Sequence, residues 1–187
     1  MPTSLTAART PDDLRAALVR AARAELQEGG SGAVSLRAVA RRAGVSHAAP
    51  GYAFGDRAGL LTAVAVQGFG ELAQVMDAPP VPPGRAGLAE LGRRYVAFAA
   101  EHPALYGLMF SPGDLVDDDE ELQAARAASL RALTRLTSAD DGSGPPGQAT
   151  WISWAFAHGV ASLVAGGALP PGGVQDLVEG FAGLVHP

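Results

Sequence analysis

The stretch Ser35-Leu36-Arg37-Ala38-Val39-Ala40-Arg41-Arg42-Ala43-Gly44-Val45-Ser46 constrains this chain more than any other. It carries what two short helices need to cross steeply at a three-residue turn. Ser35 is a good N-cap for the first helix. Ala40 is small enough for a close helix approach, and Gly44 takes positive φ without steric cost. Leu36, Val39 and Val45 supply the apolar wedge between the helices. Ser46 is placed to cap the second helix, leaving its N-terminal N–H groups and positive dipole end for phosphate. Arg37, Arg41 and Arg42 line the approach, where neutralising phosphates releases counterions. The pattern predicts a helix-turn-helix that binds double-stranded DNA.

A net charge of −5 argues against a nucleic-acid partner, but its distribution reverses that inference. Residues 1–60 hold eight arginines against five acids, a net +3, and the remainder carries −8. A basic head on an acidic body suits a DNA-binding module joined to a domain with another task. The chain has no cysteine, which excludes disulfides, thiolate zinc sites and cysteine nucleophiles and fits a reducing cytoplasm. Met1–Thr10 is short and polar, so no export signal is expected there. Trp151–Leu169 is apolar and long enough to span a membrane. Its flanks lack Lys or Arg anchors and Pro170-Pro171-Gly172-Gly173 closes it abruptly, so a buried helix is expected and no membrane partner.

Apolar residues recur at spacings of three and four throughout, which predicts an all-α chain of about nine helices. Asp12 or Asp13 opens the first, with Leu14, Leu18, Ala22 and Leu26 on one stripe and Gly29-Gly30 at its end. Leu36–Ala43 and a segment ending near Phe54 follow, and Asp56 caps a fourth helix that stops at Pro79-Pro80-Val81-Pro82-Pro83. Beyond it helices are expected over Arg85–Glu101, Pro103–Ser111, about Asp118–Thr137, about Gly147–Ala168 and Gly173–Val185, with Ser138–Gly147 as a loop. The expected organisation is a DNA-binding domain at 1–57, a connecting helix and Pro-rich break at 58–83, and a C-terminal domain at 84–187.

Together with Phe54-Gly55-Asp56-Arg57-Ala58-Gly59-Leu60-Leu61, the opening motif resembles the TetR family of repressors over about residues 12–76. That family typically shows Ala-x-x-Ala-Gly-Val-Ser, a short recognition helix, then an aromatic residue, a turn and a basic residue that opens the fourth helix. The resemblance implies that Ser35, Arg37, Ser46, His47, Tyr52 and Arg57 lie at or near the DNA. Family members usually place a phosphate-contacting Tyr three residues before the Phe; here Gly51 stands there, and Tyr52 follows about 100° around the helix. Pro50 lacks an N–H and disfavours α geometry at Ala49, so the recognition helix is expected to begin late or with a tight turn. With few donors among His47, Ala48, Ala49, Pro50 and Gly51, apolar contacts to thymine methyls and shape readout would contribute more.

Glu101-His102-Pro103-Ala104-Leu105-Tyr106-Gly107-Leu108-Met109-Phe110 and Trp154-x-x-x-His158-Gly159-x-x-x-Leu163 resemble the C-terminal domain of one TetR subgroup with a Trp/His/Gly signature. That implies a homodimer in which the last two helices pair with their twofold mates. Ala155, Gly159, Ser162 and Gly166 form a small-residue strip suited either to that pairing or to intramolecular packing. Tyr95, Phe98, Tyr106, Met109, Phe110, Trp151, Trp154 and Phe156 are candidates to line a pocket for a small hydrophobic effector, or are plain core. His158 is either a polar anchor there or a buried histidine bonded to a backbone carbonyl.

Asp117-Asp118-Asp119-Glu120-Glu121 lacks the spacing of a calcium loop and suits a helix start, so no metal is expected. No nucleophile–base pair or carboxylate pair is legible, so neither an enzyme nor a cofactor is expected. The function that follows is a DNA-binding transcriptional regulator, a repressor released from a pseudo-palindromic operator by a small ligand. The alternative, motivated by Gly51 and the donor-poor recognition helix, is a small-molecule- or protein-binding module of the same fold that has lost DNA binding.

Overall fold

The structure, a computed structural model, describes residues 10–138 and 144–185. Among them are nine α-helices and no strand: α1 (Pro11–Gly29), α2 (Leu36–Ala43), α3 (Ala49–Phe54), α4 (Arg57–Asp77), α5 (Arg85–Glu101), α6 (Pro103–Met109), α7 (Glu120–Thr137), α8 (Gln148–Ala165) and α9 (Val174–Val185). Single 3-10 turns lie at Ser31–Ala33 and Pro171–Gly173. Half of the expected Ser138–Gly147 loop, residues 139–143, and the opening segment before Thr10 lie outside the described residues. The chain forms two compact units, a head of residues up to Val64 with Ser111–Val116, and a body of Ala65–Phe110 with the residues from Asp117. The division falls inside α4, and a short stretch between α6 and α7 belongs to the head.

In the head, α1 opens at Thr10 rather than at Asp12 or Asp13. Thr10 and Asp13 form a reciprocal capping box, each side-chain oxygen accepting from the other's backbone N–H at 3.1 Å. Pro11 takes the first helical position, where its missing N–H has no partner to lose. Of the expected stripe, Leu18, Ala22 and Leu26 are at most 1% exposed and Leu14 is half-buried. Ser35 caps α2 by accepting from the Ala38 N–H at 3.2 Å, and Gly44 ends it in the left-handed conformation at φ 66°. Val39 and Ala40 are fully buried beneath the crossing.

α3 departs from expectation. Ser46 does not cap it; a turn closed by the Ala49 N–H on the Ser46 carbonyl intervenes, and the helix begins at Ala49. Pro50 is the reason. A helix capped at Ser46 would require the Pro50 nitrogen to donate to the Ser46 carbonyl, and Pro has no such hydrogen. Starting at Ala49 puts Pro50 in the first turn, where none is required. Asp56 then accepts from the Gly59 N–H at 2.9 Å at the start of α4. Gly59 allows the tight α3–α4 junction, because a Cβ there would lie 2.2 Å from the Phe54 carbonyl oxygen.

In the body, α5 is the central helix and packs against α6, α7, α8 and α9. Leu88, Leu91, Tyr95 and Phe98 follow one another on its buried side. Gly92 brings α9 close, since a Cβ would sit 3.1 Å from Val178. α7 starts on Asp119, whose carboxylate accepts from the Leu122 N–H at 2.8 Å, so the acidic run is a helix start. The expectation of a wholly buried helix over Trp151–Leu169 needs correcting. α8 buries Thr150, Ser153, Ala157, Val160 and Ala161 on one side only, and leaves Ile152 and Leu163 half exposed on the other. Among the described residues the one helix long and apolar enough to span a membrane is instead α4, and 61% of its apolar window is buried inside the protein.

Candidate DNA-binding head and ligand cavity

The arginines at and beside the helix-turn-helix, Arg37, Arg41, Arg42 and Arg57, fall into two sets. Arg37 and Arg41 project from α2 into solvent and form no ion pair among the described residues. Arg42, three positions before Val45, turns back onto α1: its Nε donates to Glu25 at 2.7 Å, and its Nη1 to Glu28 at 2.9 Å. The Glu28 carboxyl is held below its ordinary range chiefly by the hydrogen bond from Arg42, and the guanidinium is driven up in turn. Arg57 is likewise engaged. Nε donates to the Val34 carbonyl at 3.0 Å, Nη2 to the Ser31 carbonyl at 2.7 Å, and Nη1 pairs with Asp114 at 3.1 Å. One planar fork thus ties the α1–α2 turn to the start of α4 and to the Ser111–Val116 stretch. Asp114, whose pKa is lowered first by Arg57 and then by Ser111, is the anionic partner that fixes it.

The remaining head residues that the sequence singles out, Ser35, Ser46, His47, Ala48 and Tyr52, are all exposed. Tyr52 is 90% exposed, an unusual state for so large a ring with nothing to cover it. Ser46 and Tyr52 share a shallow groove with Pro11 and Arg15 of α1. Arg15 was not anticipated. Its guanidinium lies 4.5 Å over the Phe54 ring and donates to the Ala53 carbonyl at 3.3 Å, so it holds α3 against α1. A separation of 38 residues along the chain hid that pairing.

In the body, Tyr95, Tyr106, Phe110, Trp154 and His158 come together. The two tyrosine hydroxyls meet His158 Nδ1 at 3.0 and 2.7 Å and each other at 3.3 Å. Trp154 stacks on the imidazole at 5.1 Å between centroids, and Phe110 meets it edge-on at 4.6 Å. Burial lowers the His158 pKa and raises both phenol pKa values, so the cluster is neutral. A neutral imidazole with its proton on Nε2 accepts from Tyr106 at Nδ1. His158 is therefore bonded to tyrosines rather than to a backbone carbonyl.

Tyr95 and Trp154 also border a cavity walled by α4, α5, α7, α8 and α9, with Met76, Leu91, Leu133 and Val178 among its apolar lining. It is narrow: about 20 Å³ admits the centre of a water-sized sphere, enough for about one water. Phe98 and Met109 are buried elsewhere in the core, Met109 against Gly68, and Trp151 is 47% exposed. None of these three lines the cavity. Ser129 and Ser153 do, and sequence reasoning missed both. Their only signal was a small hydroxyl on the apolar side of a helix. Among the described residues no group of three or more His, Asp or Glu is placed to hold a metal ion.

Residues 88–186 match the family model described as the tetracyclin repressor-like C-terminal domain, and residues 18–64 match that of bacterial regulatory proteins of the tetR family. No curated protein matches the sequence. Among solved structures, a Rhodococcus sp. RHA1 protein of unknown function is 31% identical over 98% of this chain and 97% of its own, with a TM-score of 0.77. The TetR family repressor AlkX from Dietzia sp. strain DQ12-45-1b is 23% identical over 90% and 93%, with a TM-score of 0.57. A TetR-like transcriptional regulator from Rhodococcus sp. RHA1 is 19% identical over 98% of both chains, with a TM-score of 0.59. The last two likenesses are of fold.

Proposed function

Because the chain belongs to the TetR family of bacterial regulatory proteins, we propose that it is a cytoplasmic homodimeric repressor that leaves a pseudo-palindromic operator when a small apolar effector enters its body. The carrying observation is the exposed set Arg37, Arg41 and Tyr52 on a helix-turn-helix beside which Arg42 and Arg57 are committed to holding the head together. Arg37 and Arg41, with Ser35 and Ser46, bind phosphates; His47, Ala48 and Tyr52 lie toward the groove. Arg42 and Arg57 act as positioning residues, and their effect on DNA runs through the geometry of α2 and α4.

Dimerisation through α8 and α9 is supported by the apolar side chains these helices leave uncovered. Ile152 and Leu163 of α8 are about half exposed, and Leu177 and Leu184 of α9 are 40% and 83% exposed. The small strip of Ala155, Ser162 and Gly166 is also solvent-facing, which favours its use between subunits. Two heads so joined reach successive major grooves about one helical turn apart. An effector with higher affinity for a body conformation that misplaces the heads lowers DNA affinity by linkage. The α4 helix and the chain after Phe110 are the covalent routes by which the body acts on the head.

A mobility shift with DNA from the protein's own upstream region, repeated across salt concentrations, tests this. A specific complex that weakens steeply with salt is expected. Absence of any complex at low salt, with a folded dimer verified, would overturn it in favour of a module that has lost DNA binding.

A further inference from the structure

The cavity in the body contains a polar atom that the fold does not use. Among the described residues five serines and threonines are buried, and the hydroxyls of four are satisfied. Thr62 donates to the Ala58 carbonyl at 2.8 Å, Ser129 to the Arg126 carbonyl at 2.8 Å, and Thr134 to the Leu130 carbonyl at 3.0 Å. Thr150 meets Thr137 at 2.7 Å. Ser153 is the exception: it is 3% exposed, and its Oγ has no hydrogen-bond partner. A buried hydroxyl without a partner costs roughly 1–3 kcal/mol relative to one that is paired. A serine in mid-helix has a ready remedy in the carbonyl four residues back. Ser153 does not take it, and its residue borders the cavity instead.

The rest of the lining fixes the chemistry that this hydroxyl can meet. No charged side chain borders the cavity, so an ionised ligand would be desolvated there without compensation. The Tyr95 hydroxyl is engaged with Tyr106 and His158, and the Ser129 hydroxyl hydrogen is engaged with a carbonyl. Leu91, Leu133 and Val178 offer only hydrocarbon. We infer that the effector is a neutral, predominantly apolar molecule carrying one hydrogen-bond-accepting oxygen, which takes the Ser153 O–H. This rests on the proposal that the cavity is the effector site. Since the cavity holds only about one water as it stands, such a molecule enters by displacing side chains, and a slender, flexible one does so at least cost.

The test is titration calorimetry on the full-length dimer with methyl butyl ketone, hexane and hexanoate, against the native chain and Ser153→Ala. Comparing each probe with itself across the two proteins cancels its own hydration. The ketone is expected to lose about tenfold in affinity in Ser153→Ala, while hexane is unchanged or binds tighter. Hexanoate is expected not to bind either protein. Ser153→Ala also removes an unpaired group, so it melts at or above the native chain. Ketone and hexane binding that respond alike to the substitution would overturn the assignment of Ser153 and leave the cavity as the effector site. Tighter binding of hexanoate than of the ketone would overturn the neutral class. Failure of all three probes to bind the native chain would overturn the cavity itself.

Discussion

Head and body treat polar side chains in opposite ways. In the head the arginines Arg37, Arg41, Arg42 and Arg57 sit at or near the surface and divide into those that hold the fold and those left over. Arg42 and Arg57 belong to the first set, Arg37 and Arg41 to the second. In the body, polar groups are sunk among aromatic and aliphatic side chains, where Tyr95, Tyr106 and His158 satisfy one another and Ser153 is left unsatisfied. Under the proposed function the difference says where each region's partner would lie: an anion outside the head would meet surplus surface charge, and a neutral molecule inside the body a surplus buried hydroxyl.

The largest effect that can break this comparison is loss of the dimer. Replacing Leu163 and Leu184 by Glu is expected to give a folded monomer by light scattering. With only one half-site engaged, operator affinity should fall by about a hundredfold or more. Gly59→Ala comes next, because its Cβ would collide with the Phe54 carbonyl. It should cost about 3 kcal/mol in chemical denaturation and abolish DNA binding while ketone binding in the body persists. Arg57→Ala removes three anchors at once and should cost about 1–2 kcal/mol, with Arg57→Lys restoring little because a single ammonium cannot span them. Should Arg57→Ala instead leave stability intact and flatten the salt dependence of DNA binding, Arg57 belongs with the free set.

The smallest effect is a pH dependence of the body. Burial lowers the His158 pKa below its ordinary value of 6.5, so on acidification the unfolded chain takes up the proton first. The corresponding stability is fully present above about pH 6.5 and declines as pH falls below it toward the folded-state value. Glu90 and Asp114, whose pKa values are also lowered, lose their contributions only in the more acidic carboxylate range. Thermal melts of the native chain and His158→Gln between pH 7.5 and 5 (roughly one unit on either side of an ordinary histidine) separate the two. The native chain should show the steeper decline.

Much of the head was legible because its determinants are consecutive. Ser35, Ala40 and Gly44 act on neighbours within a few residues, so their spacing alone predicts a cap, a close crossing and a left-handed turn. What escaped notice there were long-range partners. The sequence shows Arg42 and Arg57 as cations beside a DNA-binding motif, but nothing local says that Glu25, Glu28 and Asp114 take them up. Ser46 failed as a cap for a local reason that Pro50 had already announced. The body was legible as helices, and Tyr95 and Trp154, which the aromatic pattern singles out, border the cavity. Its cavity was not, since five helices far apart in sequence wall it and helical periodicity cannot tell a lining residue from a core one. Phe98 and Ser153 show why: one is a buried aromatic side chain that does not border the cavity, the other a serine that does.

The most direct test of the division within the head is the salt dependence of operator binding, measured by fluorescence anisotropy on the native dimer and on Arg37→Ala, Arg41→Ala and Arg42→Ala. Arg37→Ala and Arg41→Ala are each predicted to reduce the slope of log affinity against log salt by about one per contact removed, and Arg42→Ala to leave it unchanged. A slope that falls in Arg42→Ala but holds in the other two would contradict the account.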